Sequence, residues 1–275
     1  MPNIDVLATD MAPVNLLATD LDGTLLPIDD DAEHHRSLVE LRRQLADDHA
    51  SIVFVTGRSR SQVADAMKQF DLPRPEAIIC DVGATCLMPA GNDWRSSRDY
   101  HDHLRSKLGD WDHDRLIAGG LAIDDAITAQ APHRQSDLKA SFHYPPPRRD
   151  EIAAAFRRWF DDDGVPVSMV ISVDPFNGEG LLDLLPAGTA KGSALDWYLA
   201  HTGRDRGRVV FAGDSGNDSA AINSGVRAIM VANADDILRR EAAAHHGDDR
   251  SRLYESAGTA TTGVLEGWRY WTGRP

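Results

Sequence analysis

The stretch Leu16-Leu17-Ala18-Thr19-Asp20-Leu21-Asp22-Gly23-Thr24-Leu25-Leu26 decides the fold of this chain. A short apolar run leads into two aspartates that are one residue apart, and a glycine that permits a sharp turn follows them. We expect a buried strand that delivers Asp20 and Asp22 to its carboxyl end, where open α/β sheets place their ligands. Two carboxylates this close repel one another, so the pattern predicts a site for a hard cation such as Mg²⁺. The alternative is a strand followed by an ordinary Asp-Gly turn.

Strand and helix patterns alternate on both sides of this stretch. Asp30 and Asp31 can cap a helix whose apolar side carries Leu38, Leu41 and Leu45. Further strands are predicted at 52–55, 77–80, 208–212 and 227–231, and further helices at 191–199, 235–242 and 262–271. This order is typical of a doubly wound, Rossmann-like α/β fold with a parallel sheet.

The pattern is interrupted between residues 87 and 187. This segment contains helix candidates at 98–108 and 149–160 and two alternating strands at 138–144 and 165–173. Such strands are typical of an antiparallel sheet with one covered face. We therefore expect a core made of residues 1–86 and 188–275, with residues 87–187 as an inserted α+β domain.

Composition and charge exclude several classes of function. The chain has 275 residues and a net charge of −14, which opposes general binding to nucleic acid or to an anionic membrane. No apolar run approaches the roughly 20 residues of a transmembrane helix, and the N-terminus lacks the pattern of a signal peptide, so we expect a cytoplasmic protein. The two cysteines, Cys80 and Cys86, are too few for a disulfide framework or a four-cysteine zinc site. A copy of the opening run at 6–10 lacks the second aspartate, and we assign it no chemistry.

Four polar clusters follow or begin the core elements. They are Asp20 with Asp22, Thr56-Gly57-Arg58, Lys191, and Asp214 with Ser215, Asn217 and Asp218. Because the carboxyl ends of parallel strands meet at one edge of a sheet, we expect these clusters to share one crevice. Carboxylates that hold Mg²⁺, together with a lysine and a hydroxyl that neutralise phosphate oxygens, are typical of phosphoryl transfer.

These clusters resemble the four motifs of the haloacid dehalogenase (HAD) superfamily of phosphatases. The resemblance implies that Asp20 is the nucleophile that forms an aspartyl-phosphate. It implies that Asp22 protonates the leaving oxygen and then activates water. Thr56 and Lys191 would bind the transferring phosphoryl group, with Gly57 and Arg58 beside them.

The same resemblance implies a Mg²⁺ site. Its ligands would be Asp20, the backbone carbonyl of Asp22 and Asp214. Asp218 would support them or act as a fourth anion, and Ser215 and Asn217 would help to place the substrate. The inserted segment takes the place of the larger α+β cap of this superfamily.

Several segments are similar to sucrose-phosphate phosphatases within that superfamily. They are 55–59, 138–143, 183–186, Lys191-Gly192, 213–218 and, in the tail, 247–250 with 263–265. Plant and cyanobacterial sucrose-phosphate phosphatases usually carry an asparagine and a tryptophan where this chain has Gly23 and Leu25. The resemblance thus implies a phosphatase for a glycosyl phosphate such as sucrose 6-phosphate, with mannosylfructose phosphate and glucosylglycerol phosphate as competing substrates.

The inserted domain should select the sugar. Lys139, Ser141 and His143 alternate with apolar residues along a predicted strand and therefore share one face. If that face looks into the crevice, its side chains supply hydrogen bonds to sugar hydroxyls; otherwise it is a solvated sheet face. Three further candidates lie on a nearby loop, namely Asp174, Asn177 and Glu179.

Two rival functions stay open from the sequence. A phosphosugar mutase would use the same nucleophile but retain the phosphoryl group and return it. A non-catalytic sugar-phosphate-binding domain would need none of the catalytic aspartates. For all three functions the expected partner is a small phosphorylated sugar, and we expect a monomer.

Overall fold

The computed structural model of the chain describes residues 12–27, 29, 31–109, 111–174 and 177–275. The copied run at 6–10 and Asp30 lie outside these ranges. Asp31 is the cap of the first helix, and its side chain accepts a hydrogen bond from the amide of Glu33. No helix within the described ranges is long and apolar enough to cross a membrane.

In the described residues a large sheet of eight strands forms the centre of the fold, in the order β12-β11-β10-β1-β2-β3-β4-β5. Its strands are β1 (Leu16–Thr19), β2 (Ser51–Val55), β3 (Ala77–Cys80), β4 (Thr85–Ala90), β5 (Asp93–Ser96), β10 (Val209–Gly213), β11 (Arg227–Met230) and β12 (Leu253–Glu255). The strands from β12 to β3 pair in parallel, whereas β4 and β5 are antiparallel additions at one edge. The predicted parallel α/β fold is confirmed.

Helices cover both faces of the large sheet. The α-helices within the described ranges are α1 (Ala32–Asp47), α2 (Arg60–Gln69), α3 (Arg98–Arg105), α4 (His113–Ile123), α5 (Arg149–Asp163), α6 (Lys191–Thr202), α7 (Ser219–Ile222), α8 (Asp236–His246) and α9 (Ala260–Thr272). Successive residues of β1 point to opposite faces, so Leu16 packs with α6 and α8 while Leu17 packs with α1 and α9. Two apolar cores therefore hold β1 and orient its carboxyl end.

A smaller antiparallel sheet has the strand order β6-β7-β9-β8. Its strands are β6 (Thr128–Ala129), β7 (Ala140–Tyr144), β8 (Val167–Val173) and β9 (Gly180–Pro186). Helices α4 and α5 cover one face, where Leu116 and Phe156 pack on Phe142. The prediction omitted β9, although this strand pairs with both β7 and β8 at the centre of the sheet.

The predicted boundary at residue 87 falls inside β4. This strand pairs with β3, so 87–90 and β5 extend the large sheet instead of the smaller one. Tyr100 and Leu104 of α3 pack in the same core as β1. The helix predicted to end at residue 160 continues to Asp163, because Gly164 at φ +64° provides its left-handed C-cap.

Candidate active site

Lys191 lies at the centre of a buried cluster of charges. Its Nζ donates to Oδ1 of Asp20 at 2.9 Å and to Oδ1 of Asp218 at 2.8 Å. The exposed fractions are 1% for Lys191, 4% for Asp20 and 0% for Asp218. Asp20 follows β1 directly, and its amide donates to Ala212 of the neighbouring β10. Parallel pairing of β1 and β10 thus brings the first and fourth polar clusters together, as predicted.

Asp214 completes an acidic group beside this lysine. Its Oδ1 accepts a hydrogen bond from the Thr24 hydroxyl at 2.8 Å. Carboxylate oxygens of Asp20, Asp214 and Asp218 all lie within 4.8 Å of one another. These three buried side chains could hold a metal ion.

The pKa values of these groups reflect burial and mutual repulsion. Burial, opposed by Lys191, raises the pKa of Asp20 to about 7. Burial and the charges of Asp20 and Asp218 raise the pKa of Asp214 above its usual range. Burial disfavours the charged form of Lys191, but the two aspartates outweigh it and raise the pKa of the lysine. A cation among the carboxylates would lower their pKa values, because it replaces repulsion with attraction.

Asp218 supports the cluster with both oxygens. Its Oδ2 accepts hydrogen bonds from the amides of Asp214 and Ser215, both at 3.1 Å. The Ser215 hydroxyl donates to Oδ1 of Asn217 at 3.1 Å. Oδ1 of Asp218 accepts from Lys191, so both oxygens of this carboxylate are engaged within the protein. Asp218 therefore orients its neighbours and offers no free oxygen as a metal ligand.

Asp22 lies in a different environment from Asp20. The Arg58 guanidinium binds its carboxylate in a bidentate manner, with Nε 2.8 Å from Oδ2 and Nη2 2.5 Å from Oδ1. Burial disfavours the charge of Arg58, but the hydrogen bonds to Asp22 raise its pKa above the usual value. The fork geometry fixes the direction of the Asp22 carboxylate. Arg58, predicted to bind substrate, is engaged with a predicted catalytic residue.

The Thr56-Gly57-Arg58 segment follows β2 at the same edge of the sheet. Thr56 is fully buried, and its amide donates to Ile79 of the adjacent β3 at 2.8 Å. Its hydroxyl oxygen accepts from the amide of Arg58 at 3.2 Å. Gly57 is half-buried between them. The second predicted cluster therefore borders the same crevice as Asp22.

Lys139 and Ser141, two of the predicted sugar-binding residues, are engaged within the protein. Lys139 Nζ lies 3.7 Å from Asp183 Oδ1, and the Ser141 hydroxyl donates to the same carboxylate at 2.5 Å. Lys139 also lies 3.7 Å from Asp81 of the large-sheet side. Sugar binding by these two residues stays a prediction.

His143, on the same face of the small sheet, remains partly exposed. Its Nδ1 lies 3.7 Å from Glu179 Oε2, and Asn177 donates to that same oxygen at 3.0 Å. The negative charge of Asp174 is a minor contribution to the raised pKa of Arg58. Sugar binding by His143 also stays a prediction.

The sequence prediction missed four residues that shape the site: Thr24, Asp81, Asp183 and Asn233. Asn233 holds the turn after β1, because its Nδ2 donates to the Gly23 carbonyl at 2.7 Å and its Oδ1 accepts from the Ala260 amide at 2.8 Å. Two of these four lie in segments that the sequence already marks. Thr24 belongs to the stretch 16–26, and Asp183 belongs to the segment 183–186, which resembles sucrose-phosphate phosphatases. No local pattern marked Asn233, since its partners lie far away in sequence.

Comparison with known proteins identifies the family of this chain. The model of the sucrose-6F-phosphate phosphohydrolase family matches residues 13–272. The chain belongs to this family. It is accordingly a phosphatase of the HAD type, which agrees with the predicted resemblance.

Two relatives match most of the length of this chain. A HAD-like hydrolase of Nitrosococcus oceani is 32% identical over 264 residues, which cover 92% of this chain and 70% of that protein. The mannosylfructose-phosphate phosphatase of Agrobacterium fabrum is 28% identical over 268 residues, covering 95% and 98% respectively.

A solved structure confirms the fold of the family member. The sucrose-phosphatase of Synechocystis sp., solved in complex with sucrose and phosphate, matches with a TM-score of 0.78 at 24% identity. The match covers 94% of this chain and 98% of that chain.

Proposed function

We propose that this chain hydrolyses the phosphate monoester of a disaccharide-type glycosyl phosphate, such as sucrose 6-phosphate, through an aspartyl-phosphate on Asp20. The observation that carries the proposal is the contrast between two neighbouring carboxylates. Asp20 is buried against the Lys191 ammonium, whereas Asp22 is partly exposed and is bound by the Arg58 guanidinium. Two titratable groups in such different environments are suited to different roles in one reaction.

In this mechanism Asp20 attacks phosphorus, and the bond between phosphorus and the sugar oxygen breaks. Asp22 donates its proton to that leaving oxygen. In the second step Asp22 removes a proton from water, whose oxygen attacks phosphorus and releases inorganic phosphate and free Asp20. In this mechanism Lys191 offsets the charge of the phosphoryl oxygens, and the Thr56 hydroxyl donates a hydrogen bond to one of them.

The acidic group fits a Mg²⁺ ion. Mg²⁺ binds through one or two carboxylates together with phosphate oxygens and water, and Asp20 and Asp214 supply two buried carboxylates. The backbone carbonyl of Asp22 would add a third protein ligand. Bound there, the ion would supply positive charge that offsets the charge of the phosphate.

A second substrate candidate is mannosylfructose phosphate. The Agrobacterium fabrum relative is named for this substrate and matches over almost its whole length. Gly23 and Leu25, which depart from the form usual in sucrose-phosphate phosphatases, also leave this alternative open.

Phosphate release from a panel of substrates tests the proposal. The panel contains sucrose 6-phosphate, mannosylfructose phosphate, glucosylglycerol phosphate, trehalose 6-phosphate and simple hexose phosphates. We expect kcat/KM to be highest for one of the disaccharide or glycosylglycerol phosphates. Simple hexose phosphates that exceed all of these would contradict the proposal.

Asp20→Asn provides the control for contaminating phosphatases. Loss of the nucleophile should lower turnover by roughly a thousandfold or more, while asparagine still accepts a hydrogen bond from Lys191. Substantial turnover by a folded Asp20→Asn protein would refute the assigned nucleophile. Sustained release without a bisphosphate activator would exclude the mutase.

A further inference from the structure

The loop of residues 81–83, which follows β3, has a strained backbone. Asp81, Val82 and Gly83 have φ values of +54°, +56° and +99°. A β-branched valine is strongly disfavoured in this left-handed region. Such strain persists only where the surroundings hold the backbone in place, and it is often found at functional sites.

Contacts to two parts of the active site hold the 81–83 loop. Two of its amides donate to the carbonyls of Arg58 and Thr56 at 3.0 and 3.1 Å. On the other side, Gly83 lies so close to the backbone of Ala190 that a Cβ atom would overlap the Ala190 carbonyl. Ala190 directly precedes the helix whose first residue is Lys191. The loop is therefore packed between the Thr56 segment and the start of α6.

The Asp81 side chain connects this loop to the small sheet. Its Oδ1 lies 3.7 Å from Nζ of Lys139, one residue before β7, and the same Nζ lies 3.7 Å from Oδ1 of Asp183 on β9. Lys139 is 3% exposed and Asp81 is 9% exposed. At this burial solvent screens the attraction only weakly. The pair therefore joins the large and small sheets directly beside the site.

We propose that Asp81 is a positioning residue. Its carboxylate pairs with the Lys139 ammonium and so holds the inserted domain against the Thr56 segment and the start of α6. This inference rests on the proposed function, because it concerns how that same site closes around a sugar phosphate. Asp183, which also accepts from Ser141, keeps the lysine ammonium in place on the small sheet. Asp81 then provides the matching anion on the large sheet.

Large and small substrates should differ in how strongly their KM depends on the Asp81–Lys139 pair. A disaccharide phosphate extends from the phosphate site toward the small sheet, so its binding should depend on the position of the inserted domain. The small ester p-nitrophenyl phosphate should depend mainly on Asp20, Lys191 and the acidic group. Loss of the Asp81–Lys139 pair should therefore affect KM for the disaccharide phosphate selectively.

The test compares Asp81→Asn, Lys139→Met and the double variant with the wild type. For the best sugar phosphate of the panel, we expect KM to rise about tenfold in each single variant while kcat stays within twofold. We expect the double variant to resemble Lys139→Met, because Asp81 acts through the lysine. Kinetics of Asp81→Asn with p-nitrophenyl phosphate should stay within twofold of the wild type.

Asp125→Asn is the matched control, since it removes an exposed carboxylate from the inserted domain. Hydrogen exchange of residues 136–141 supplies a readout that needs no turnover. We expect faster exchange in Asp81→Asn and unchanged exchange in Asp125→Asn. Equal losses with p-nitrophenyl phosphate, KM effects that multiply in the double variant, or unchanged exchange in Asp81→Asn would each overturn the proposal.

These measurements distinguish a failure of the proposed function from a failure of the proposed role of Asp81. If the wild type released phosphate from none of the sugar phosphates, the proposed function would fail. Hydrogen exchange in Asp81→Asn and Asp125→Asn would still measure the coupling between Asp81 and Lys139.

Discussion

A Cβ atom on Gly23 would overlap Oδ2 of Asp214, so the missing side chain of one residue makes room for the carboxylate of the other. Gly23 lies in the turn after β1 with φ +75°. The Asp214 carboxylate, held by Thr24, occupies the space above it. The glycine thus serves two purposes, the left-handed turn and the close approach of a site carboxylate.

Gly23→Ala should displace Asp214 and impair the site. We expect kcat/KM to fall by at least about tenfold, since an active-site group moved by 1 Å can change the rate by two orders of magnitude. The measurement is phosphate release at several Mg²⁺ concentrations. Gly188→Ala is the matched control, because Gly188 has the same φ of +75° with open space around it. Both variants should lose about 1 kcal/mol of stability from the backbone, and equal activity in the two would contradict the prediction.

Lys191→Met should destabilise the protein as well as abolish turnover. The change leaves Asp20 and Asp218 buried without the cation between them. Removal of one partner from a buried ion pair costs about 3–5 kcal/mol. Denaturant unfolding measures the loss, with Lys68→Met as the control because Lys68 is exposed on α2. Similar unfolding free energies in the two variants would show that the lysine does not balance these carboxylates.

Arg58→Lys should lower kcat while the fold stays intact. Lysine keeps the positive charge but loses the planar fork that binds both oxygens of Asp22. A catalytic carboxylate that loses its fixed orientation should lower the rate by roughly tenfold or more. Steady-state kinetics measure the effect, and Arg60→Lys is the control, because Arg60 pairs with Asp93 at the surface. A kcat unchanged from the wild type would argue against positioning of Asp22 by Arg58.

Removal of divalent metal should stop turnover, and Mg²⁺ should restore it. Asp20 and Asp214 supply the expected carboxylate ligands, with Asp218 beside them. Mg²⁺ should also raise the Tm of the wild type, because a ligand that binds only the folded state stabilises it. Asp214→Asn should lose most of this Tm shift, whereas Asp248→Asn at the surface should keep it. Full activity in the presence of a chelator would contradict the metal site.

Local patterns predicted most elements of the large sheet. The run that contains Ile78 and Ile79 matched β3 residue for residue, because a buried parallel strand needs a continuous apolar sequence. The segment Leu181-Leu182-Asp183-Leu184-Leu185 of β9 lacks this continuous pattern. Its buried aspartate interrupts the apolar run, and the reason for that aspartate, its contacts with Ser141 and Lys139, appears only in the folded chain.

The sequence by itself determined where the candidate site lies. Asp20, Thr56 and Asp214 follow strands that pair in parallel, and parallel pairing places their carboxyl ends at one edge. Tertiary structure alone decided how these groups are held: Arg58 on Asp22, Asn233 on Gly23, and Lys139 between Asp81 and Asp183. The reason is physical, because the position of each strand along the chain follows from a short-range pattern, whereas each of these contacts joins segments distant in sequence whose approach depends on tertiary packing.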